Sequence, residues 1–210
     1  NYNNIQYNEL LNRDDISNVV YDKTRKGFFL IDIIDIQSSI KNKSSLIKGI
    51  IVRKDFPNNL LVDINFHKVA VILENETGCV LLDSTGYVID IWDKKDSSCK
   101  EYLLSEIIYL INNDKLNEYI VGQYTNFRFL KDIINIDKVF REYHYIIQRY
   151  EYNDSILTSY DNSNRTYLFT SRDNIYDQQV RLVSLLEQLQ NMNIKYIKLD
   201  LRFNRPVIEK

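Results

Sequence analysis

The feature of this sequence that most constrains its fold is a β-hairpin centred near residue 57. Residues 48–53 and 60–73 are rich in β-branched and other apolar side chains, which favour strands. The Phe-Pro-Asn-Asn stretch at 56–59 separates the two runs, and Pro and Asn form tight turns. The sequence therefore predicts two strands joined by a turn, with one face of the hairpin available for helices to cover.

Two short helices are predicted upstream of this hairpin. Asp14 and Asp15 can cap the first helix, because side-chain oxygens accept bonds from the first free N–H groups. Its apolar face comprises Ile16, Val19 and Val20. Asp32 opens the second helix, whose buried side comprises Ile33, Ile36 and Ile40. With a short strand predicted at 4–7, residues 1–73 form one small domain in the order strand, helix, helix, strand, strand.

Residues 74–210 alternate β-rich runs with helical patterns, and we predict a second domain over this range. The predicted strands are 80–82, 87–92, 145–152, 156–160 and 165–170. Helices are predicted from about Glu101, near Phe127, and from about Ile175 to Asn191. The first of them carries Leu104, Ile107, Ile108 and Ile111 on one face. The expected fold class is α+β, a small domain followed by a mixed, mainly antiparallel β domain with flanking helices.

The closing segment, residues 194–203, repeats with a period of two. Its polar set is Tyr196, Lys198, Asp200 and Arg202, and its apolar set is Ile197, Leu199 and Leu201. This alternation predicts a strand with the apolar set buried and the polar set exposed. Pro206 limits regular pairing, and Val207 and Ile208 can extend the sheet edge beyond it.

Composition and charge exclude several classes of function. The chain is 44% hydrophobic and 27% charged, which is typical of a folded protein. The formal charge of −2 and the scattered Lys and Arg residues argue against a nucleic-acid surface. Cys79 and Cys99 do not have the spacing of metal ligands. A disulfide between them is possible, but the apolar run around Cys79 favours a buried free thiol.

Reacting groups are scarce, which argues against an enzyme. The chain has two histidines, His67 and His144, and no nucleophile elbow, zinc-protease helix or phosphate-binding loop. The Asp161-x-Ser163-x-Arg165 pattern resembles the start of a calcium loop, but the cationic Arg165 occupies a ligand position, so we interpret it as a turn. We therefore predict no catalytic residue, no metal and no cofactor.

Five stretches of this sequence resemble motifs of the FtsQ/DivIB family of bacterial cell-division proteins, and they occur in the same order as in that family. The Val-Arg-Lys-Asp-Phe-Pro-Asn-Asn-Leu stretch at 52–60 is similar to the second hairpin of that family's POTRA domain, and the Gly-to-Asp step at 27–32 is similar to the link between its helices. The turn at 83–86 and the Val-Gly ending of 116–122 resemble landmarks of its β domain. The Ile-Lys-Leu-Asp-Leu-Arg-Phe segment at 197–203 resembles its closing strand.

The resemblance implies a POTRA domain at 1–73, an FtsQ-type β domain at 74–210, and a scaffold that is not an enzyme. It further implies a protein of the inner membrane with one span before Asn1 and with this region in the periplasm. Upstream division proteins are expected to recruit the POTRA domain. The last strands are expected to bind FtsB, which forms a complex with FtsL, and so to link early and late proteins of the divisome.

The expected partner-binding residues are Asp200, Arg202, Phe203, Asn204, Arg205 and Val207. A terminal edge strand has free backbone N–H and C=O groups to which a partner strand can add. Arg202 is expected to pair with a partner carboxylate and Phe203 to act as an aromatic anchor. The alternative for these two residues is an internal salt bridge for Arg202 and a core position for Phe203.

Two other functions remain open from the sequence. A POTRA-containing secretion or outer-membrane assembly factor would share the first domain, although such proteins usually carry several POTRA units or a transmembrane barrel. A small periplasmic hydrolase would need a cluster of titratable residues in a pocket. A histidine and a carboxylate brought together in a cleft would favour the hydrolase.

Overall fold

The computed structural model describes residues 13–24, 30–56, 59–76, 78–93, 99, 106–112 and 119–210. The chain divides into two compact units, residues 1–67 and residues 68–210. This division precedes the predicted boundary at 73/74, because residues 71–74 pair with strands of the second unit. Helices combined with a large mixed sheet confirm the α+β fold class.

The first unit contains the two predicted helices and the predicted hairpin. Its elements are α1 (Arg13–Thr24), α2 (Ile33–Lys41), β1 (Ile47–Asp55) and β2 (Asn59–Phe66). The Asp32 side chain caps α2 by accepting hydrogen bonds from the N–H groups of Ile34 (2.9 Å) and Asp35 (3.2 Å). The strand predicted at 4–7 lies outside the described residues.

The apolar stripe of α2 packs on the inner face of the hairpin. Ile36 and Ile40 are fully buried and share a core with Val52 of β1. The strands pair antiparallel, with Val52 opposite Val62. β2 ends at Phe66 and not at residue 73, since the chain leaves this hairpin before entering the sheet of the second unit.

Among the described residues, the second unit forms a nine-stranded sheet. Its strands are β3 (Val71–Glu74), β4 (Gly78–Leu82), β5 (Val88–Asp93), β6 (Ile108–Asn112), β7 (Ile147–Asn153), β8 (Ile156–Asp161), β9 (Thr166–Thr170), β10 (Lys198–Asp200) and β11 (Val207–Glu209). Their order across the sheet is β11-β10-β9-β8-β7-β6-β3-β4-β5. Parallel pairing joins β10 to β9 and β6 to both β3 and β7, and the other neighbours are antiparallel.

Two helices, α3 (Leu130–Glu142) and α4 (Ile175–Asn191), contribute to a single core with one face of this sheet. The helix residues in the core include Ile133, Ile136, Phe140, Leu182 and Leu186. The strand residues that meet them include Leu110, Tyr150, Tyr167, Phe169 and Leu199. α4 has the bounds that the sequence predicted, because its leucines repeat at helical spacing.

The predicted turn after β8 is organised by one buried carboxylate. Asp161 Oδ1 accepts hydrogen bonds from the N–H groups of Ser163 (2.8 Å) and Arg165 (2.9 Å). Asp161 Oδ2 accepts from Arg165 Nε (2.6 Å) and from the buried Tyr167 hydroxyl (3.0 Å). The carboxylate is thus fully used within the fold, as expected of a structural turn.

The helix predicted from Glu101 is wrong over its described part. Ile108 and Ile111 lie on β6, a strand between β3 and β7, and residues 100–105 lie outside the described part. The run from Ile107 to Ile111 is continuously apolar, which fits a parallel strand inside a sheet as well as one helix face. Its spacing alone therefore could not distinguish the two.

Part of the alternation predicted for 194–203 is also wrong. Leu199 and Leu201 are buried as expected, but Ile197 of the apolar set is 53% exposed, and Tyr196 and Asp200 of the polar set are buried. The regular strand begins only at Lys198. Before it, the Tyr196 side chain lies in the core, where its hydroxyl group donates to the Tyr145 hydroxyl (3.3 Å) and is 3.1 Å from the Tyr167 hydroxyl.

Cys79 and Cys99 form a disulfide, which corrects the prediction of a free thiol. Their Cα atoms are 5.8 Å apart, within the usual range for this bond, and both residues are buried. Separately, no helix in the described ranges has the length and apolar character needed to cross a membrane.

Candidate partner-binding site

The C-terminal strand β11 is an edge of the large sheet. Val207, Ile208 and Glu209 pair with Asp200, Leu199 and Lys198 of β10. Within the described residues, no strand pairs with the other side of β11. Val207 is 54% exposed and Ile208 is 37% exposed, so this edge is accessible.

The direction of each backbone N–H and C=O group of β11 decides which of them a partner strand could bind. The Glu209 carbonyl accepts a hydrogen bond from Ile197 N–H (2.9 Å), so the Glu209 backbone faces β10. Successive residues of an extended strand face opposite sides, and the N–H and C=O of Ile208 therefore face away from the sheet. The backbone of Pro206, two residues before Ile208, faces the same side, but proline has no N–H to donate. Ile208 is thus the main donor and acceptor of the open edge.

The six expected partner-binding residues occupy three kinds of position. Asp200 lies on β10, which is paired on both sides, so its backbone is not at the edge. Val207 lies on β11 itself. The connection between the two strands contains Arg202, Phe203, Asn204 and Arg205. The structure therefore places Val207 on the edge and the other five residues beside it.

Arg202 forms an ion pair within the fold. Its Nε donates to Asp200 Oδ1 (2.8 Å) and its Nη2 donates to Asp200 Oδ2 (2.6 Å), a two-pronged contact. Burial raises the pKa of Asp200, but the hydrogen bonds from the Arg202 side chain and backbone outweigh it and leave this pKa below its ordinary value. The internal salt bridge left open by the sequence is what the structure contains, and Arg202 Nη1 has no hydrogen bond to a described residue.

Phe203 is not a core residue. Its side chain is 54% exposed, and the Arg202 guanidinium carbon lies 5.6 Å from the centre of its ring. Further exposed apolar side chains are Val207 and Ile208 of β11 and Ile197, which directly precedes β10. An aromatic ring beside an open strand edge is the kind of side chain that anchors protein interfaces.

The connection between β10 and β11 is held from the core side. Leu201 is fully buried, and its N–H donates to the Leu168 carbonyl of β9 (2.9 Å). Its own carbonyl accepts a hydrogen bond from Arg181 Nη2 of α4 (3.1 Å). These contacts fix the position of the backbone immediately before Arg202. The exposed connection that follows is therefore anchored at its first residue.

Ile197 and Ile208 are exposed on this surface, but the sequence did not predict them as partner-binding residues. Ile197 belonged to the apolar set of the period-two pattern, which predicted burial, and Ile208 was expected only to extend the edge. A signal for Ile208 was present, because the nearby Pro206 confines this segment to an edge strand.

The described residues include no group of three or more His, Cys, Asp or Glu side chains that could hold a metal ion. His67 is buried in the first unit, whereas His144 is exposed in the second unit, just before β7. The chemistry available at the C-terminal surface is recognition, through backbone hydrogen bonds, one aromatic ring and a guanidinium group.

Comparison with known families finds a match in the first unit. Residues 4–65 match the family described as POTRA domain, FtsQ-type. This range falls within the first unit and contains its two helices and most of its hairpin. A search of curated proteins finds no match to the chain. The family match supports an FtsQ/DivIB-type protein, as the sequence motifs indicated.

Proposed function

We propose that this chain is the extracytoplasmic part of an FtsQ/DivIB protein that binds the FtsB–FtsL complex through β11 and so links early and late division proteins. The FtsQ-type POTRA domain belongs to a family of periplasmic, non-enzymatic scaffolds of cell division. The observation that supports the finer proposal is the C-terminal strand at an open sheet edge, with the Ile208 backbone facing outward.

Strand addition explains how this edge recognises a partner. An extended segment of the partner satisfies the outward N–H and C=O of Ile208, and these backbone bonds contribute affinity. Side chains on the two faces of the added strand supply specificity, and here they meet Ile208 on one face and Val207 on the other. Phe203 packs against the partner at the end of the edge.

Arg202 and Asp200 act together in this proposal. Asp200 is a positioning residue, because its buried carboxylate holds the guanidinium of Arg202 in one orientation. The remaining Nη1 of Arg202 is then directed toward a carboxylate of the partner. Asn204 and Arg205 are exposed in the same connection and contact the rim of the interface.

The proposed location is the periplasm, with the protein anchored in the inner membrane by a single span that precedes this region. An FtsQ-type POTRA domain implies the periplasmic region of an inner-membrane protein. The Cys79–Cys99 disulfide supports this placement, since such bonds persist in oxidising compartments and are rare in the cytosol. In this arrangement the POTRA domain contacts other divisome proteins.

The test is a pull-down of the purified chain with the periplasmic FtsB–FtsL pair, comparing two matched variants. Ile208→Pro removes the outward N–H of β11 while leaving the bonds of Val207 and Glu209 to β10 in place. Ile91→Pro removes an N–H group that donates to Asp90 Oδ1 (2.9 Å), on β5 at the opposite end of the strand order among the described residues. We expect wild type and Ile91→Pro to bind, and Ile208→Pro to lose binding at least tenfold.

Phe203→Ala supplies a second measurement at the same site, because its exposed side chain can be removed without disturbing the core. Binding that survives both Ile208→Pro and Phe203→Ala would place the interface elsewhere on an FtsQ-type protein. A folded chain that does not bind the pair at all would contradict the proposal and favour a secretion or assembly factor with a POTRA domain.

A further inference from the structure

The segment that leads into β10 is held by a buried cluster of tyrosines, Tyr145, Tyr167 and Tyr196. The Tyr196 hydroxyl donates to the Tyr145 hydroxyl (3.3 Å) and lies 3.1 Å from the Tyr167 hydroxyl. The ring of Tyr167 meets the rings of the other two edge to face, with ring centres 6.2 Å apart in each pair. The cluster thus joins β9 to the residues that precede β7 and β10.

A carboxylate and a guanidinium group anchor this cluster to the turn after β8. The Tyr167 hydroxyl donates to Asp161 Oδ2 (3.0 Å), which also accepts from Arg165 Nε (2.6 Å). The Arg165 guanidinium carbon lies 4.7 Å from the ring centre of Tyr145 and 5.2 Å from that of Tyr196, within the range of cation–π attraction. Burial raises the pKa of Tyr167 and of Tyr196, so both hydroxyl groups remain hydrogen-bond donors near neutral pH.

Backbone hydrogen bonds connect the cluster to the C-terminal edge strand. Tyr196 is followed by Ile197, whose carbonyl accepts a hydrogen bond from the N–H of Thr166 (2.9 Å), the residue after Arg165. The N–H of Ile197 donates to the Glu209 carbonyl of β11 (2.9 Å). Because the Ile197 side chain is exposed, the position of this residue depends on its backbone bonds and on its neighbour Tyr196.

The edge strand β11 depends on such backbone contacts, because its side chains are all exposed. Its pairing with β10 covers only the residues from Val207 to Glu209. The ion pair between Lys198 Nζ and the Glu209 carboxylate (3.4 Å) lies at the surface, where such pairs contribute little. The direction of the outward Ile208 groups therefore depends on how firmly the start of β10 is held.

We infer that Tyr196 is a positioning residue for partner binding. Held by Tyr145, Tyr167 and Arg165, it fixes the backbone of Ile197 and so the edge that β11 presents. This inference rests on the proposed function, in which a partner strand adds to β11. Tyr196 is only 6% exposed, so it acts through the Ile197 backbone and not by contact with the partner.

The test compares two substitutions that each remove one buried hydroxyl group and keep the ring. Tyr196→Phe removes the bond to Tyr145 and the contact with Tyr167. Tyr150→Phe is the matched control, because it removes a buried hydroxyl that donates to Asp137 Oδ1 of α3 (2.9 Å). Tyr150 lies on β7, three strands from β10 in the sheet order, so its loss should cost similar stability without moving the edge.

The first measurement is amide hydrogen exchange of the free chain, which requires no partner. We expect the Ile197 amide of Tyr196→Phe to exchange about fivefold faster than in wild type, the factor that corresponds to one hydrogen bond of usual net strength. The Leu201 amide, which donates to the Leu168 carbonyl of β9, should keep its rate. In Tyr150→Phe both amides should exchange as in wild type.

The second measurement is the affinity for the periplasmic FtsB–FtsL pair, with all variants shown to be folded by circular dichroism. We expect Tyr196→Phe to bind about fivefold more weakly and Tyr150→Phe to bind like wild type. Unchanged exchange of the Ile197 amide, or unchanged affinity, in Tyr196→Phe would overturn the inference. Equal losses of affinity in the two variants would also overturn it, because they would reflect stability alone.

The two measurements distinguish this inference from the proposed function. A wild-type chain that binds the pair while Tyr196→Phe binds equally well contradicts the inference alone. A wild-type chain that does not bind contradicts the proposed function, and the exchange rates then decide whether Tyr196 positions β11.

Discussion

Arg202→Ala is expected to destabilise the second unit, because the ion pair with Asp200 is part of the fold. The substitution removes two charge-assisted hydrogen bonds and leaves the Asp200 side chain, which is only 9% exposed, without its partner. Breaking a fully buried pair costs about 3–5 kcal/mol, but the Arg202 side chain is 29% exposed, so we expect a loss of about 2 kcal/mol. For a unit of this size the melting temperature falls by about 6 °C.

The pH dependence identifies the cause of this loss. The folded pKa of Asp200 lies below its ordinary value, so the unfolded chain binds a proton more readily than the folded one. Stability from the ion pair is therefore complete above about pH 4, the unfolded pKa, and is lost as the pH falls through the folded pKa. In Arg202→Ala this acid-dependent loss should largely disappear.

The assay is urea unfolding between pH 2.5 and pH 7, with Arg202→Ala beside Arg205→Ala. Arg205 is exposed in the same connection and pairs with no described residue, so its removal should change the free energy of unfolding by less than about 0.5 kcal/mol. Combining Arg202→Ala with Asp200→Asn should cost less than the sum of the single changes. Equal effects of the two arginine variants, or full additivity in the double variant, would show that Arg202 does not stabilise the fold through Asp200.

Because Arg202 stabilises the fold, a loss of binding in an Arg202 variant can result from a change in structure. Arg202→Glu would place a second carboxylate beside the buried Asp200, so loss of FtsB–FtsL binding could follow from local unfolding of the connection. Ile208→Pro and Phe203→Ala test the interface with less effect on the core.

Three further changes test other parts of the structure. Replacing Cys79 and Cys99 by serine removes a cross-link spanning 20 residues and should lower the free energy of unfolding in urea by about 3 kcal/mol relative to oxidised wild type, with reduced wild type matching the variant; a midpoint equal to that of oxidised wild type would contradict the bond. Tyr167→Phe removes a buried hydroxyl that bonds to Asp161, and should cost about 1–2 kcal/mol by thermal unfolding, whereas no loss would mean that the network is not stabilising. Asp32→Ala removes the cap of α2 and should destabilise the first unit by about 1 kcal/mol, with Asp32→Asn largely restoring it.

The sequence correctly predicted the elements whose residue pattern is compatible with only one type of secondary structure. The hairpin around residue 57, the capped helix after Asp32 and the helix from Ile175 were confirmed, because turn residues, an N-cap and leucines at helical spacing each favour one local structure. The FtsQ-type first domain was likewise accessible, since its motifs are contiguous stretches of sequence.

Other features depend on residues that are distant in sequence and could be established only from the folded chain. The run at 107–111 fits a helix face or a buried strand, and its position between β3 and β7 selects the strand. Cys79 and Cys99 pair because folding brings their Cα atoms to 5.8 Å, which spacing in the sequence cannot show.

The candidate site divides in the same way. The sequence pattern predicted β structure around Arg202, Phe203 and Val207, and the structure places Val207 on a strand and the other two residues in the connection before it. Only the sheet order made β11 an edge, and only the packing around Asp200 turned the guanidinium of Arg202 inward. The physical reason is that alternation along a strand gives the two faces of a sheet, whereas an edge and an ion-pair partner are set by which other segments lie alongside.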